Sequence, residues 1–120
     1  MIREVKANFE VVYSEEADRF LQGLHAKVRS KIIYNILKSR YVIDPELFKK
    51  LDDSDIWEFR TLYNKTHYRM LAFWDRSKGK DTLVIATHGF IKKTSKTPAA
   101  EIARAINIKK EYFKFKSEQL

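Results

Sequence analysis

Between residues 56 and 87 the chain is written as three consecutive runs rich in aromatic and β-branched residues, 56–63, 67–74 and 82–87. Only Asn64-Lys65-Thr66 and the stretch 75–81, with its turn at 75–80 containing Gly79, separate them. Runs of this composition bounded by turn residues read as strands. Links this short cannot carry the crossover that parallel neighbours need, so the three strands are expected to form an antiparallel sheet.

The segments on either side read differently. Val5, Ala7, Phe9 and Val11 alternate and predict a first strand over residues 4–12. Ser14, followed by Glu15 and Glu16, is an N-cap with acids in the first turn. Ala17, Phe20, Leu21 and Leu24 form one helical face, and Val28, Ile32, Ile36 and Leu37 another. Helices are therefore expected at about 15–24 and 26–39, with the bend at Gly23 and His25. Asp44-Pro45 predicts a turn, with a short helical turn from Pro45 to Phe48. Thr97 and Pro98 stand as N-cap and first residue of a last helix, with Ile102, Ala105, Ile106 and Phe113 facing the sheet. The order β-α-α-β-β-β-α is that of an α+β domain whose helices cover one sheet face. With three glycines, two prolines and no repeat or linker, residues 1–120 read as a single domain.

Composition narrows the function. The absence of cysteine excludes disulfides, thiolate metal sites and thiol nucleophiles. No run reaches the roughly 18 apolar residues of a membrane span, and the charged N-terminus lacks a signal-peptide core, so a cytoplasmic location is expected. The net charge of +8 is segregated: residues 92–116 carry +6, and residues 44–58 carry −4. A segregated basic surface fits a polyanionic partner.

The strand faces hold the candidate chemistry. Glu58 and Arg60 share a face of one strand, and Arg69 lies on the face opposite Tyr68 in the next. His88 ends the following run, and Lys92, Lys93 and Lys96 come between it and the last helix. Arginines projecting from central strands are costly unless paired or wet. One reading is a cross-strand pair of Glu58 with Arg60 or Arg69, and the other is an open cationic cleft. Lysines before a helix N-terminus favour an anion such as phosphate, although a solvated basic loop has the same sequence. RNA cleavage without metal needs proton transfer and stabilisation of a phosphorane, which arginine, lysine and histidine can supply. His88, or a lysine with a lowered pKa, is the proton-transfer candidate. His25 reads as structural, and His67, opening a strand, reads equally as a turn residue. Asp52-Asp53-Ser54-Asp55 lacks the glycine and distal glutamate of a calcium loop. There is no glycine-rich phosphate loop and no nucleophile elbow. Trp57 and Trp74 read as core or interface anchors, and Tyr63 and Tyr68 as core residues able to stack on a base.

The segments WEFR at 57–60, HYRMLAF at 67–73, HGFIKKTSKTP at 88–98 and AAEIARAINIKKEYF at 99–113 resemble the RelE/ParE superfamily of toxins from bacterial type II toxin–antitoxin modules. The likeness is closest to the phage-derived, HigB-like branch, and it covers about half the chain. It implies a toxin that enters the ribosomal A site and cuts mRNA without metal or small-molecule cofactor. It also implies a cognate antitoxin of helix-turn-helix type as partner. The matching positions are Arg60, Arg69 and the segment from His88 to Lys96. On that basis Arg60, Arg69, His88 and Lys93 are expected to be catalytic. Lys92, Lys96, Lys109 and Lys110 are expected to bind RNA, with Glu58 or Tyr68 as a base or orienting group. Other members of the fold act on DNA gyrase and cleave no RNA. That alternative, and a basic RNA-binding module without catalysis, remain open at this point.

Overall fold

A computed structural model describes residues 5–77, 79, 82–85, 87–94 and 96–119, with the backbone alone described at 83–85. Lys78 and Lys80 of the expected turn, Ala86 of the expected strand and Glu4 of the first strand lie outside the described residues. The elements run β1 (Glu10–Tyr13), α1 (Glu15–Gln22), α2 (Ala26–Ser39), β2 (Phe48–Lys50), β3 (Trp57–Tyr63), β4 (Thr66–Asp75), β5 (Thr82–Ile85), β6 (Gly89–Lys92) and α3 (Ala99–Glu118).

Local signals start the helices as expected. Ser14 accepts a hydrogen bond from the Ala17 N–H at 3.0 Å and caps α1. His25 Nδ1 accepts from the Lys27 N–H at 3.2 Å and opens α2, which gives this histidine a structural role. At α3 the expectation changes. Pro98 is the flanking residue and makes no side-chain cap. The Thr97 hydroxyl donates instead to Glu58 Oε2 at 2.5 Å.

The sheet follows the order β1-β5-β4-β3-β2, with β6 also paired to β4. The β2-β3-β4 core and the β4 pairings with β5 and β6 are antiparallel, while β1 joins β5 in parallel. β3 and β4 are joined through Asn64 and Lys65, both at positive φ (48° and 64°), the geometry of a tight primed hairpin turn. Two strands were not anticipated. β2 follows the turn at residues 45–47 and is too short at three residues to show alternation. β6 continues the pairing along β4 beyond Thr87 and His88, which are not in a strand and in sequence look like a strand end.

The helices divide between the two sheet faces instead of covering one. Phe59, Met70 and Ala72 pack with Ala17, Leu21, Val28, Ile32 and Ile36 of α1 and α2. Leu71 and Phe73, on the other face of β4, pack with Ala105 and its neighbours on α3. The reason lies in β4, where Met70 to Phe73 are all buried. A strand apolar on both sides needs cover on both sides. Each fully buried phenylalanine, Phe59 on one face and Phe73 on the other, contributes roughly 1.5–3 kcal/mol, more than an exposed ion pair. Aromatic packing therefore fixes the sheet, and the charged groups between its strands are carried by it.

One close approach sets the helical side. A Cβ at Gly89 would lie 2.1–2.7 Å from ring atoms of Phe20, so α1 rests on β6 only because residue 89 has no side chain.

Candidate functional site

Period-two alternation and the β3–β4 register put Arg60 directly opposite Arg69, and Glu58 opposite Leu71. The face they share is the α3 face, because Leu71 and Phe73 pack there. α3 covers only the half of β4 that carries those two residues. The other half, with His67 and Arg69, adjoins Arg60 and Leu62 of β3, Phe90 and Lys92 of β6, and a cleft of about 210 Å³. Glu46, Arg60, Thr61, Leu62, His67 and Arg69 line that cleft.

Glu58 is the counter-ion of the cluster. Its Oε1 lies 3.5 Å from Arg60 Nε and 3.4 Å from Arg69 Nε, while Oε2 takes the Thr97 hydroxyl. Both readings of the sequence thus meet in one place: Glu58 pairs with both arginines, and the arginines line an open cleft. Glu58 is 2% and Arg69 3% exposed, so this is a buried charge network, whereas Arg60 reaches solvent. Arg69 donates to the Tyr68 carbonyl at 3.0 Å and Arg60 to the Pro45 carbonyl at 3.2 Å. Neither Nε makes a hydrogen bond among the described residues.

One carboxylate does not balance the surrounding cations. Burial pulls the Arg69 pKa below its ordinary value; Glu58 opposes this and Arg60 adds to it. Burial likewise lowers Lys92, which Glu58 raises and Arg69, Arg60 and Lys49 lower further. Lys49 belongs here because it stands opposite Glu58 in the β2–β3 ladder. The surplus positive charge on a partly dry floor is suited to an anion, and to charge that builds on phosphate oxygens.

The other expected residues distribute as follows. Lys92 joins the cluster, because β6 turns it and Phe90 toward the α3 face. Lys93 and Lys96 are exposed beyond the end of β6. His88 Nε2 lies 2.9 Å from Glu101 Oε2 in the first turn of α3, so its contact is with the helix and it does not line the cleft. The Tyr68 side chain falls on the opposite face, against the α1–α2 core, because it alternates with Arg69. Only its carbonyl reaches the site. Lys109 sits 3.7 Å from Asp55, and Lys110 is exposed, about 15 Å along α3 from its start. His67 is the cleft residue that sequence reasoning passed over; its parity with Arg69 was the available signal.

A family model described as phage derived protein Gp49-like matches residues 19–110. No curated protein matches the sequence. Among solved structures, a chain of the intact E. coli RelBE toxin–antitoxin complex aligns over 72% of this chain and 98% of its own, at 14% identity and a TM-score of 0.46.

Proposed function

Because the chain belongs to the phage-derived Gp49-like family, RelE/HigB-like in type, we propose that it is the toxin of a type II toxin–antitoxin module and cleaves mRNA on the ribosome. The observation that carries this reading is the opposition of Arg60 and Arg69 on an open sheet face, with one shared carboxylate. In cleavage the 2′-oxygen attacks the phosphorus and negative charge grows on the non-bridging oxygens. Two guanidiniums held by the β3–β4 ladder meet that charge without reorganising, and a well-placed donor of this kind contributes roughly 3–4 kcal/mol. Glu58 keeps the like-charged pair together in the free protein. Lys92 adds charge at the floor, and exposed Lys93 and Lys96 extend the cationic surface along the RNA backbone. The protein acts in the cytoplasm and is neutralised by a cognate antitoxin of helix-turn-helix type. Among the described residues, no helix is long and apolar enough to cross a membrane.

The test is brief induction in bacteria with mapping of mRNA 5′ ends, beside Arg69→Ala. New ends within translated frames that disappear in the variant are expected. Growth arrest without new ends overturns the nuclease reading in favour of another target such as gyrase.

A further inference from the structure

We propose that His67 and Lys92, neighbours across the β4–β6 ladder, are the proton-transfer pair of this site. His67 takes the proton from the RNA 2′-hydroxyl, and Lys92 delivers one to the departing 5′-oxygen. The inference rests on the cleavage reading above and assigns its acid and base.

The register carries it. His67 stands opposite Lys92 on one side and Leu62 on the other, two residues before Arg69 on the same face. Directly opposed residues have Cβ atoms about 4.5–5.5 Å apart, and residues two apart on a strand are separated by about 7 Å. A phosphodiester over β4 therefore lies within side-chain reach of Arg60 from β3, Arg69 and His67 from β4, and Lys92 from β6. The cleft beside His67 and both arginines is open to solvent, and His67 itself is exposed. No side chain among the described residues holds its imidazole. His88, by contrast, is engaged by Glu101. The charged groups facing His67 are Glu46 from the turn before β2, Arg60, Arg69 and Lys92.

The chemistry balances. The O2′–P bond forms as the 2′-hydroxyl proton passes to the neutral imidazole. The P–O5′ bond breaks as the Lys92 ammonium gives its proton to the 5′-oxygen. The products are a 2′,3′-cyclic phosphate and a 5′-hydroxyl, and exchange with water resets both side chains. Burial and the neighbouring cations lower the Lys92 pKa, which makes its ammonium a better proton donor than an ordinary lysine. Histidine is the side chain suited to accept a proton near neutral pH.

The experiment is single-turnover cleavage of mRNA on programmed ribosomes by the purified protein, His67→Gln, Lys92→Arg and Arg69→Ala, each with a melting curve to verify folding. His67→Gln is expected to lose on the order of 10²-fold or more in rate. Its pH–rate profile should also lose the limb expected of the wild type, a rate that rises as a histidine base gives up its proton. Lys92→Arg keeps the charge and loses the donor. It should be slow on ordinary RNA and recover on a substrate with sulfur at the 5′-bridging position, whose thiolate leaves without a proton. Folded His67→Gln with the wild-type rate and pH profile, or Lys92→Arg that sulfur does not rescue, overturns the pair while Arg69-dependent cleavage leaves the nuclease reading standing. Absence of ribosome-dependent cleavage by the wild type overturns both.

Discussion

Arg60 and Arg69 occupy directly opposed positions of the β3–β4 ladder, a placement that repels, and one carboxylate, Glu58, bridges both at 3.4–3.5 Å. The network is nearly dry on the Glu58 and Arg69 sides and wet at Arg60. It thus combines a structural ion pair with an unfilled demand for negative charge, and the two roles are separable.

Removing the carboxylate separates them. Glu58→Gln leaves two opposed guanidiniums without a counter-ion and frees Thr97 from its charged acceptor. A loss of about 3 kcal/mol is expected, read as a lower urea midpoint at unchanged slope. The double variant Glu58→Leu/Arg69→Met should recover most of that stability, since apolar replacement of a buried pair is often neutral, and it should still fail to cleave RNA.

Gly89 tests the seating of α1 on the strand that carries Lys92. Gly89→Ala drives a methyl into the Phe20 ring, and a cost of about 1–3 kcal/mol is expected. Gly89→Ala with Phe20→Ala should cost less than the sum of the single changes, because the clash is gone. Thermal melting of the three variants measures this.

The far end of β4 controls the pH range of stability. Burial raises the Asp75 pKa, but hydrogen bonds from Lys116, Ser77 and Tyr112 outweigh it and hold the carboxyl well below its usual range. Such a group stabilises fully above an unfolded pKa of about 4, and the contribution is lost as pH falls further. Burial, and then the Asp75 carboxylate, push the Tyr112 phenol up to about 12. That contribution is present below an unfolded pKa of about 10 and disappears as pH rises toward the folded value. Melting temperature against pH should therefore fall at both ends. Asp75→Asn should flatten the acid limb, and Tyr112→Phe the alkaline one.

Lys65 holds φ at 64°, a conformation that costs a residue with a Cβ roughly 1 kcal/mol. Lys65→Gly completes the Asn-Gly pair that this hairpin turn prefers. A gain of about 1 kcal/mol and an increase in melting temperature of roughly 4 °C are expected, with cleavage unchanged.

The sequence by itself determined β3 and β4, the start of α1 at its Ser14 cap, the break between α1 and α2, and the shared face of Glu58 and Arg60. These follow from alternation and capping, which are local properties of an extended or helical backbone. The apolar run from Met70 to Phe73 also held the signal that both faces of β4 are covered, although each residue read singly fits a one-sided strand. Only the tertiary structure decided the rest. Glu58 bridges two arginines because register, a relation between strands, puts it diagonal to Arg69. Thr97 lies 39 residues from the Glu58 it contacts, and α3 leaves one half of β4 open while packing on the other. β6 turned Lys92 into the cluster, brought His67 beside it, and left Lys93 outside. Such placements depend on contacts between distant segments, where packing of Phe59 and Phe73 selects the geometry and the charges follow.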